Sequence, residues 1–426
     1  MTAERETAMW VMPHWTNDFS RSRRHLEAAV GAVFDQTDSD WELVIVDDGT
    51  DDAAALAYLR ALAERCPKRV HVILEPSNRG AGAARNVGVR LAAARRSPFV
   101  VFLDADDLSR PGRLAAVRAA FADGSAPGVV YSTFDVVDPD GRPVPLPEMT
   151  GSVAEVIEAH RRGPPQGLDV WIAIGTDTGY VNHTSSTAVR TDIAHAHPFP
   201  DVRVSEDAHT WLRYAAAGAP FAYLDEPWSS YRTTTDEAGS SSRTREGGKA
   251  GFYAAKARVD ADGFRCAIEL ATARGAIAPA AVPELWVGFH LRLAATLVRE
   301  GQHELACDQV RAARAVSVTA TEPRLAKRGW SDQPWAAVSG EVACDPIAPD
   351  PRHPPGDWSS ARRCQQVSPA PITPARSPYR AGPSAGGSGR DSRRSSARND
   401  LPGVSRQSEV SARPCTRVRF PPSPRL

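Results

Sequence analysis

Short apolar runs alternate with longer amphipathic stretches through the first hundred residues. The apolar runs lie at residues 10–12, 43–46, 70–74 and 99–103, and stretches of helical periodicity lie at residues 23–36, 53–65 and 82–95. Short buried strands joined by helices of ten or more residues predict a parallel sheet covered on both faces, because parallel strands need long crossover connections. The pattern predicts an α/β fold with its ligand site at the carboxyl ends of the strands.

The second half of the chain changes character twice. A further strand is predicted at residues 129–132, and the Pro- and Gly-rich passage that follows, to about residue 187, has one short helix near 153–161 and could form an acceptor site. Helical periodicity returns at 206–217, a strand-like run follows at 221–224, and residues 249–316 are helix-rich with a hairpin turn at Gly301-Gln302. We therefore divide the chain into a catalytic α/β domain at 1–240, a helix-rich C-terminal subdomain at 241–344 and a disordered Pro-, Ser- and Arg-rich tail at 345–426.

Composition excludes several classes of protein. The segment after Cys344 holds fourteen Arg and six acids in a chain of zero net charge, so the preceding part is mildly acidic, and the whole chain has four Lys. A nucleic-acid partner is not expected, because binding to phosphates needs a basic face. The six cysteines form no CxxC pair and the histidines show no zinc-ligand spacing. Neither a disulfide framework nor a structural zinc site is predicted.

Targeting signals are not evident either. The first twelve residues are polar and charged, and no run of about 18 apolar residues occurs. We expect a cytoplasmic protein. This location is compatible with peripheral membrane contact, since a lipid-linked acceptor can be met from the aqueous side.

Two predicted strands end in acidic residues. Asp47-Asp48 follows the run at 43–46, and Asp104-Ala105-Asp106 follows the run at 99–103. Paired carboxylates repel each other unless they share a cation, and their oxygens suit Mg²⁺ or Mn²⁺. On an extended backbone the Asp104 and Asp106 side chains would point to the same side, so that one could bind the metal and the other the ribose or a metal-bound water. The alternative is an ordinary Asp-rich turn, with Asp107 as a helix cap.

A glycine-containing segment opens the predicted helix at residue 82. Gly80 and Gly82 resemble the start of a dinucleotide-binding motif, but Arg85 occupies the position where that motif requires a third glycine. With Arg79 and Arg85 nearby, the start of this helix could still assist an anionic ligand. Alternatively, the glycines serve only tight turning and close packing.

Four blocks in a fixed order carry a family resemblance. They lie at residues 41–49 (WELVIVDDG), 78–86 (NRGAGAARN), 101–107 (VFLDADD) and 205–207 (SED), the last opening a helix with Trp211 and Arg213. Together, over the first ~235 residues, they resemble family 2 glycosyltransferases of the GT-A fold, a nucleotide-binding α/β architecture. The resemblance implies a metal-assisted, inverting transfer of a sugar from a nucleotide-diphosphate donor to an acceptor hydroxyl. The acceptor would be a saccharide, a lipid-linked molecule or a protein, as in polysaccharide biosynthesis.

The resemblance also implies roles for individual residues. Asp207 would be the general base that takes the proton of the acceptor hydroxyl, with Glu206 as the reserve candidate. Asp104 and Asp106 would be the metal and ribose ligands. The nucleotide-binding residues would be Pro13, Asp47, Asp104 and Arg85, with Asp47 recognising the base. For Asp207 the alternative is that it caps the helix.

The chain departs from the family pattern at two places. Its opening segment reads Pro13-His14-Trp15-Thr16-Asn17, so contacts to the donor base could differ, and residues 231–234 (YRTT) lack the histidine that many members have after Tyr-Arg. A third, histidine metal ligand is therefore not expected from this segment, and the metal would rely on Asp106 and the diphosphate. Arg232 could contact the diphosphate or be an exposed cation at a strand end. His183 could line the acceptor pocket or have no role.

Three other classes of protein are alternatives to a glycosyltransferase. A nucleotidyltransferase should carry a Gly-rich loop with basic residues after the first strand, where residues 12–15 read MPHW. A signalling receiver domain needs a Lys after a later strand, and no Lys lies between Lys68 and Lys249. A non-catalytic protein that binds nucleotide sugars stays open as an alternative.

Overall fold

An eight-stranded mixed sheet organises the part of the chain that the structure, a computed structural model, describes: residues 7–233 and 247–330. The strands are β1 (Ala8–His14), β2 (Trp41–Asp47), β3 (Val70–Leu74), β4 (Phe99–Phe102), β5 (Leu108–Ser109), β6 (Val129–Val137), β7 (Thr187–Arg190) and β8 (Phe221–Arg232). Their spatial order is β3-β2-β1-β4-β7-β6-β8-β5. All strands except β5 and β7 run in one direction. The predicted α/β, mostly parallel architecture is confirmed.

Twelve α-helices cover this sheet or extend beyond it within the described residues. They are α1 (Phe19–Phe34), α2 (Ala53–Arg65), α3 (Ala81–Ala94), α4 (Arg113–Ala122), α5 (Gly151–Arg162), α6 (Val170–Ala173), α7 (Thr191–Ala196), α8 (Glu206–Ala216), α9 (Gly248–Ala273), α10 (Val282–Arg299), α11 (His303–Val316) and α12 (Val318–Lys327). Of the predicted elements, the helix at 53–65 and the strand at 70–74 have the predicted bounds. The predicted hairpin turn at residues 301–302 is also confirmed, between α10 and α11.

Each face of the sheet is covered by its own apolar core. Along β1, Met9 and Val11 pack towards α3, whereas Trp10 and Met12 pack towards α1 and α2. A strand buried on both faces is apolar at consecutive positions, which is why the sequence shows short continuous apolar runs. Helix α3 lies close to β1, since a Cβ on Gly88 would come within 2.5 Å of Val11 Cγ1.

Two strands extend five or more residues beyond their predicted ends. β6 continues to Val137 and β8 to Arg232, beyond the predicted ends at 132 and 224. The additional residues include polar side chains such as Asp135 and Ser230, which hide the apolar pattern of a strand. The two extensions pair with each other across a register shift between Ser132 and Phe134. Pairing with a distant strand therefore determines these ends.

The C-terminal helices share the core on the α3 face of the sheet. Trp211 and Tyr214 of α8 belong to the same buried cluster as Phe264 of α9 and Phe289 of α10. The division of the chain at residue 240 stays a prediction, and the predicted tail at 345–426 lies outside the described residues. Among the helices described, none is both long and apolar enough to cross a membrane.

Candidate functional site

A cavity of about 1260 Å³ opens at the carboxyl ends of the parallel strands. Its wall contains acidic residues that the sequence singled out: Asp48 after β2, Asp104 and Asp106 after β4, and Glu206 and Asp207 at the start of α8. Parallel strands that end at one edge of a sheet bring their following loops together, which explains the convergence. The predicted location of the ligand site agrees with this cavity.

The acids after β4 lie in a turn. The Asp107 N–H donates to the Asp104 carbonyl over 3.1 Å, so residues 104–107 form a turn and the expected extended backbone is wrong here. Closing the turn brings Asp104 close to Asp107 as well as to Asp106. Ligand atoms of Asp104, Asp107 and His183 all lie within 4.8 Å of one another. This set of two carboxylates and one imidazole is chemically suited to Mn²⁺ or Mg²⁺.

Asp107 is the most deeply buried member of this turn. Its side chain is 1 % exposed; Oδ1 accepts the Arg232 N–H over 2.8 Å, and Oδ2 has no hydrogen-bond partner among the described residues. Burial, reinforced by the neighbouring Asp106 and Asp104 carboxylates, raises the pKa of Asp107 well above its usual range. The alternative of Asp107 as a helix cap is wrong, because the next helix, α4, begins at Arg113 after Gly112.

A neighbouring carboxylate also disfavours the ionised form of Asp106. Burial and the adjacent Asp104 carboxylate raise the pKa of Asp106 to about 6. A divalent cation would relieve this repulsion, because it stabilises the ionised forms of all three carboxyl groups. The unpaired Oδ2 of Asp107 and the raised pKa values therefore fit a site for a cation, which residues Asp104, Asp106, Asp107 and His183 could hold.

His183 reaches this cluster from the segment before β7. Its Nδ1 lies 3.8 Å from Asp107 Oδ2 and accepts the Ser185 N–H over 3.3 Å. Its ring packs against Tyr231 with centroids 4.4 Å apart. Burial lowers the pKa of His183, which favours the neutral imidazole that metals bind. A histidine thus lies beside the acids, although it comes from a different segment than residues 231–234.

Arg85 joins the two acidic motifs of the cavity. Its side chain is 4 % exposed, and its two amino groups donate to Asp104 Oδ1 over 2.7 Å and to Glu206 Oε1 over 2.9 Å. Burial lowers the pKa of Arg85, but the Asp104 and Glu206 carboxylates outweigh burial and hold it above its ordinary value. Since α3 carries Arg85 and α8 carries Glu206, this residue fixes the start of α8 relative to the acidic turn.

The two acids after β2 differ in orientation. Asp47 is buried, with Oδ1 2.7 Å from His14 Nδ1 and Oδ2 accepting the Thr50 N–H, and it does not form part of the cavity wall. Asp48 does form part of the cavity wall. Its two carboxylate oxygens accept hydrogen bonds from the N–H groups of Arg79 and Gly80 over 2.9 and 2.7 Å. The family resemblance implies that Asp47 contacts the donor base. In the structure the adjacent Asp48 is the member of the pair that borders the cavity, together with Pro13.

The glycines before α3 satisfy steric needs. Gly80 has a φ of +97°, which side chains other than glycine rarely allow. A Cβ on Gly82 would lie 3.0 Å from Glu206 Cγ. These glycines therefore permit a tight turn and close packing, with the acid next to the proposed base among the packing partners, and an anion-binding role for the start of α3 stays a prediction.

Arg232 is buried and hydrogen-bonds to two loops, one at residue 106 and one at residues 138–139. The residue is 7 % exposed, and its guanidinium donates to the carbonyl oxygens of Asp106, Asp138 and Pro139 over 2.7 to 3.1 Å. The alternative of an exposed strand-end cation is wrong. By holding the Asp106 carbonyl, Arg232 fixes the acidic turn from the side of β8.

The start of α8 holds the proposed base. Ser205 adopts φ +59° and ψ +24°, a left-handed conformation that costs a residue with a Cβ roughly 1–2 kcal/mol. The helix begins at the next residue, so Asp207 lies in its first turn, and the alternative that Asp207 caps the helix is wrong. Asp207 Oδ1 accepts the Ala208 N–H over 2.7 Å, and the residue borders the cavity.

Two residues of α9 complete this corner of the site. Ser205 Oγ donates to Asp260 Oδ1 over 2.7 Å, and Lys256 Nζ donates to Ser205 Oγ over 3.1 Å. Neither residue was predicted to belong to the site, because both lie some fifty positions away from Ser205, within a long helix. A lysine in the buried part of such a helix, four positions before an aspartate, would have been the available clue.

Known proteins are similar to the first half of the described chain. The sequence model described as "Glycosyl transferase family 2" matches residues 19–180. This segment is similar to the members of glycosyl transferase family 2. It contains β2, β4 and the acidic turn after β4, whereas Pro13, Glu206 and Asp207 of the cavity wall lie outside it.

Individual relatives are similar to parts of this chain. An uncharacterized glycosyltransferase of Nostoc sp. is 33 % identical over 139 residues, which cover 32 % of this chain and 41 % of that protein. A UDP-Glc:alpha-D-GlcNAc-diphosphoundecaprenol beta-1,3-glucosyltransferase, WfgD of Escherichia coli, is 31 % identical over 98 residues, 23 % of this chain and 34 % of the relative. The chain thus aligns with less than half the length of each of these two relatives. A solved structure of S. aureus TarS 1-349 with UDP-GlcNAc gives a TM-score of 0.44 at 15 % identity, covering 76 % of this chain and 92 % of that one.

Proposed function

We propose that the chain is an inverting glycosyltransferase of the GT-A fold that moves a sugar from a nucleotide-diphosphate donor to an acceptor hydroxyl. The observation that carries this proposal is the convergence of Asp104, Asp106 and Asp207 on one cavity at the carboxyl ends of parallel strands. The family 2 match over residues 19–180 supports it. We assign the chemistry to the predicted catalytic domain, residues 1–240, working at the cytoplasmic side.

The donor would lie along the strand ends. Pro13, Asp47 or Asp48, and Asp104 are the residues we assign to the nucleotide, and Arg85 orients Asp104 for that contact through its 2.7 Å ion pair. A Mg²⁺ or Mn²⁺ ion held by Asp104 and Asp106, with Asp107 and His183 as further donors, would stabilise the negative charge that develops on the departing diphosphate.

Asp207 is assigned as the general base. It would accept the proton of the acceptor hydroxyl as that oxygen attacks the anomeric carbon from the face opposite the nucleotide, so a single displacement inverts the configuration. Glu206 is less suited to this role, because its carboxylate is ion-paired with Arg85 over 2.9 Å. Burial and the neighbouring Asp207 raise the pKa of Glu206. We therefore assign Glu206 to holding Arg85 and thereby the acidic turn.

The acceptor would enter along an aromatic part of the wall. Phe134, Tyr180, Tyr231 and Phe252 border the cavity, and aromatic faces pack well against the C–H groups of a saccharide. A saccharide is therefore the acceptor we favour. The name of the E. coli relative contains a diphosphoundecaprenol-linked sugar. A lipid-linked saccharide, met during peripheral contact with a membrane, is the form of acceptor that this relative suggests.

The proposal is tested with a panel of nucleotide sugars, scored by donor hydrolysis and by thermal shift with and without Mn²⁺. We expect one donor class to raise the melting temperature only with the metal, Asp106→Ala to abolish that shift, and Asp207→Asn to keep the shift while losing turnover. Asp192→Asn, at a side chain that is 76 % exposed, is the matched control and should behave as wild type. If no nucleotide sugar stabilises the protein in a metal-dependent way, the proposal is wrong.

A further inference from the structure

A triad of half-buried Ser205 with buried Lys256 and Asp260 joins helix α9 to the residue that precedes the acidic pair of α8. Besides the Ser205 contacts, Lys256 Nζ donates to Asp260 Oδ2 over 3.0 Å. Asp260 is 0 % exposed and Lys256 is 8 % exposed. A carboxylate buried to this degree needs a compensating charge and hydrogen bonds, and Lys256 and Ser205 supply both.

The position of this triad matters because of the backbone it holds. Ser205 is left-handed, at φ +59°, and α8 begins at the following residue. The torsion angles at Ser205 set the direction in which the first turn of α8 leaves the loop. Residues before a helix usually adopt the extended region, so Ser205 would relax towards it without an anchor. That relaxation would turn the side chains of Glu206 and Asp207 relative to the cavity.

We propose that Asp260 and Lys256 are positioning residues that hold Ser205 in its left-handed conformation and so aim the Asp207 carboxylate into the cavity. The inference rests on the proposed role of Asp207 as the general base. It gives the helical C-terminal region a part in the chemistry, because α9 supplies the anchor for a residue of the α/β domain. Lys256 also borders the cavity, so the anchor adjoins the acceptor side of the site.

A second contact between the same two helices provides a control, at a carboxylate whose side chain is 48 % exposed whereas Asp260 is fully buried. His209 of α8 lies 3.1 Å from Asp262 of α9, one half-turn beyond Asp260. This side-chain contact also joins α8 to α9, but it does not involve the Ser205 side chain; the His209 N–H reaches Ser205 through a backbone hydrogen bond of α8, to the Ser205 carbonyl over 3.1 Å. If Asp260 only joined the two helices, its loss would lower stability but, like the loss of Asp262, would leave the kcat of the folded protein unchanged.

Glycine distinguishes positioning from mere packing. Glycine adopts the left-handed region without a steric penalty, so a glycine at position 205 needs no anchor to stay there. The test measures kcat and donor KM for Asp260→Ala, Ser205→Gly, the double variant and Asp262→Ala. We expect Asp260→Ala to lower kcat at least ten-fold with donor KM within two-fold of wild type. Ser205→Gly alone should stay within three-fold, the double variant should recover to within three-fold, and Asp262→Ala should keep kcat.

Either of two results would overturn the inference. One is a kcat for Asp260→Ala equal to that of Asp262→Ala; the other is a folded double variant, by circular dichroism, that is as slow as Asp260→Ala. If the wild type transfers no sugar, the proposed function fails, yet the anchor can still be judged from melting temperatures. The anchor then predicts that Asp260→Ala lowers the melting temperature less in the Ser205→Gly background than in the wild type, and strict additivity would refute it.

Discussion

The two sides of the cavity are built in different ways. The side formed by β1, β2 and β4 is held by consecutive strands, and its acids follow apolar runs that are visible in the sequence. The side formed by α8 is held by side chains from far along the chain: Arg85 of α3, and Lys256 and Asp260 of α9. Backbone hydrogen bonds between neighbouring strands hold the first side, whereas the second depends on a few buried polar contacts. Substitutions should therefore affect the two sides differently.

The largest effect is expected at Asp207. Asp207→Asn should lower kcat by roughly 10²–10⁴-fold, the usual contribution of a general base, because asparagine cannot take the proton of the acceptor. Donor affinity should change little, since the metal and nucleotide residues lie on the other side of the cavity. Steady-state kinetics with a thermal-shift titration of the donor checks this. Equal turnover in Asp207→Asn and wild type would show that another group is the base.

The next largest effect is expected at Arg85, which joins the two sides of the cavity through its ion pairs with Asp104 and Glu206. Arg85→Met leaves Asp104 and Glu206 without their buried partner and should cost about 3 kcal/mol of unfolding free energy, the lower end for a broken buried pair because both acids border the cavity. Arg79→Met, which removes an ion pair to Asp201 between side chains 55 % and 73 % exposed, should cost about 0–1 kcal/mol. Urea unfolding of both variants gives the comparison. Equal losses would mean that Arg85 does not join the motifs.

Protonation of the acidic turn gives a pH-dependent effect. Folding raises the pKa of Asp106 from 3.8 to about 6, so its charged form opposes folding, and stability is lost as the pH rises from about 4 to 6. Asp106→Asn removes this penalty. At pH 7 without metal it should be more stable than wild type by roughly 2–3 kcal/mol, with the difference shrinking near pH 4. Urea unfolding at several pH values measures it.

Adding Mn²⁺ at pH 7 provides the control for that effect. The ion should stabilise wild type and reduce its difference from Asp106→Asn, because the cation offsets the repulsion among the carboxylates. A difference between the two proteins that is independent of both pH and Mn²⁺ would contradict the assignment of the turn as a cation site.

Substitution of a glycine between α3 and β1 tests how tightly the strand side of the cavity is packed. Gly88→Ala places a Cβ 2.5 Å from Val11 Cγ1 and should cost about 1–3 kcal/mol through overpacking between α3 and β1. Gly124→Ala, where a Cβ would meet nothing within 4 Å, is the matched control and should stay within about 0.5 kcal/mol of wild type. Thermal unfolding of the two variants is sufficient. A Gly88→Ala variant as stable as the control would mean that α3 can move away from the sheet without cost.

Sequence reasoning succeeded where local pattern determines structure. The helix at 53–65 follows from its apolar period and from Asp52, whose side chain caps it by accepting the Ala54 and Ala55 N–H groups. The order of the acidic motifs along the strands predicted the cavity for the same reason. By contrast, the turn at 104–107 replaced an expected extended segment, because its closure depends on the Asp107 contacts to Arg232 of β8. The roles assigned to individual site residues stay predictions.

Polar contacts between residues far apart in the chain were not predicted from the sequence. The approach of His183 to Asp107, and of Asp260 to Ser205, joins positions separated by 55 residues or more. A side chain in a loop or in an amphipathic helix carries no local mark of such a partner. These contacts form only when β7, β8 and α9 have packed against the first four strands, which explains why they had to be read from the structure.

The anomeric configuration of the transferred sugar tests the central claim most directly. Proton NMR of the product formed by wild-type protein with its donor and Mn²⁺, recorded before mutarotation when water is the acceptor, identifies the first anomer released. A single displacement assisted by Asp207 predicts a product whose configuration is inverted relative to the donor, and Asp207→Asn should form almost none of it. A product that retains the donor's configuration would contradict the account.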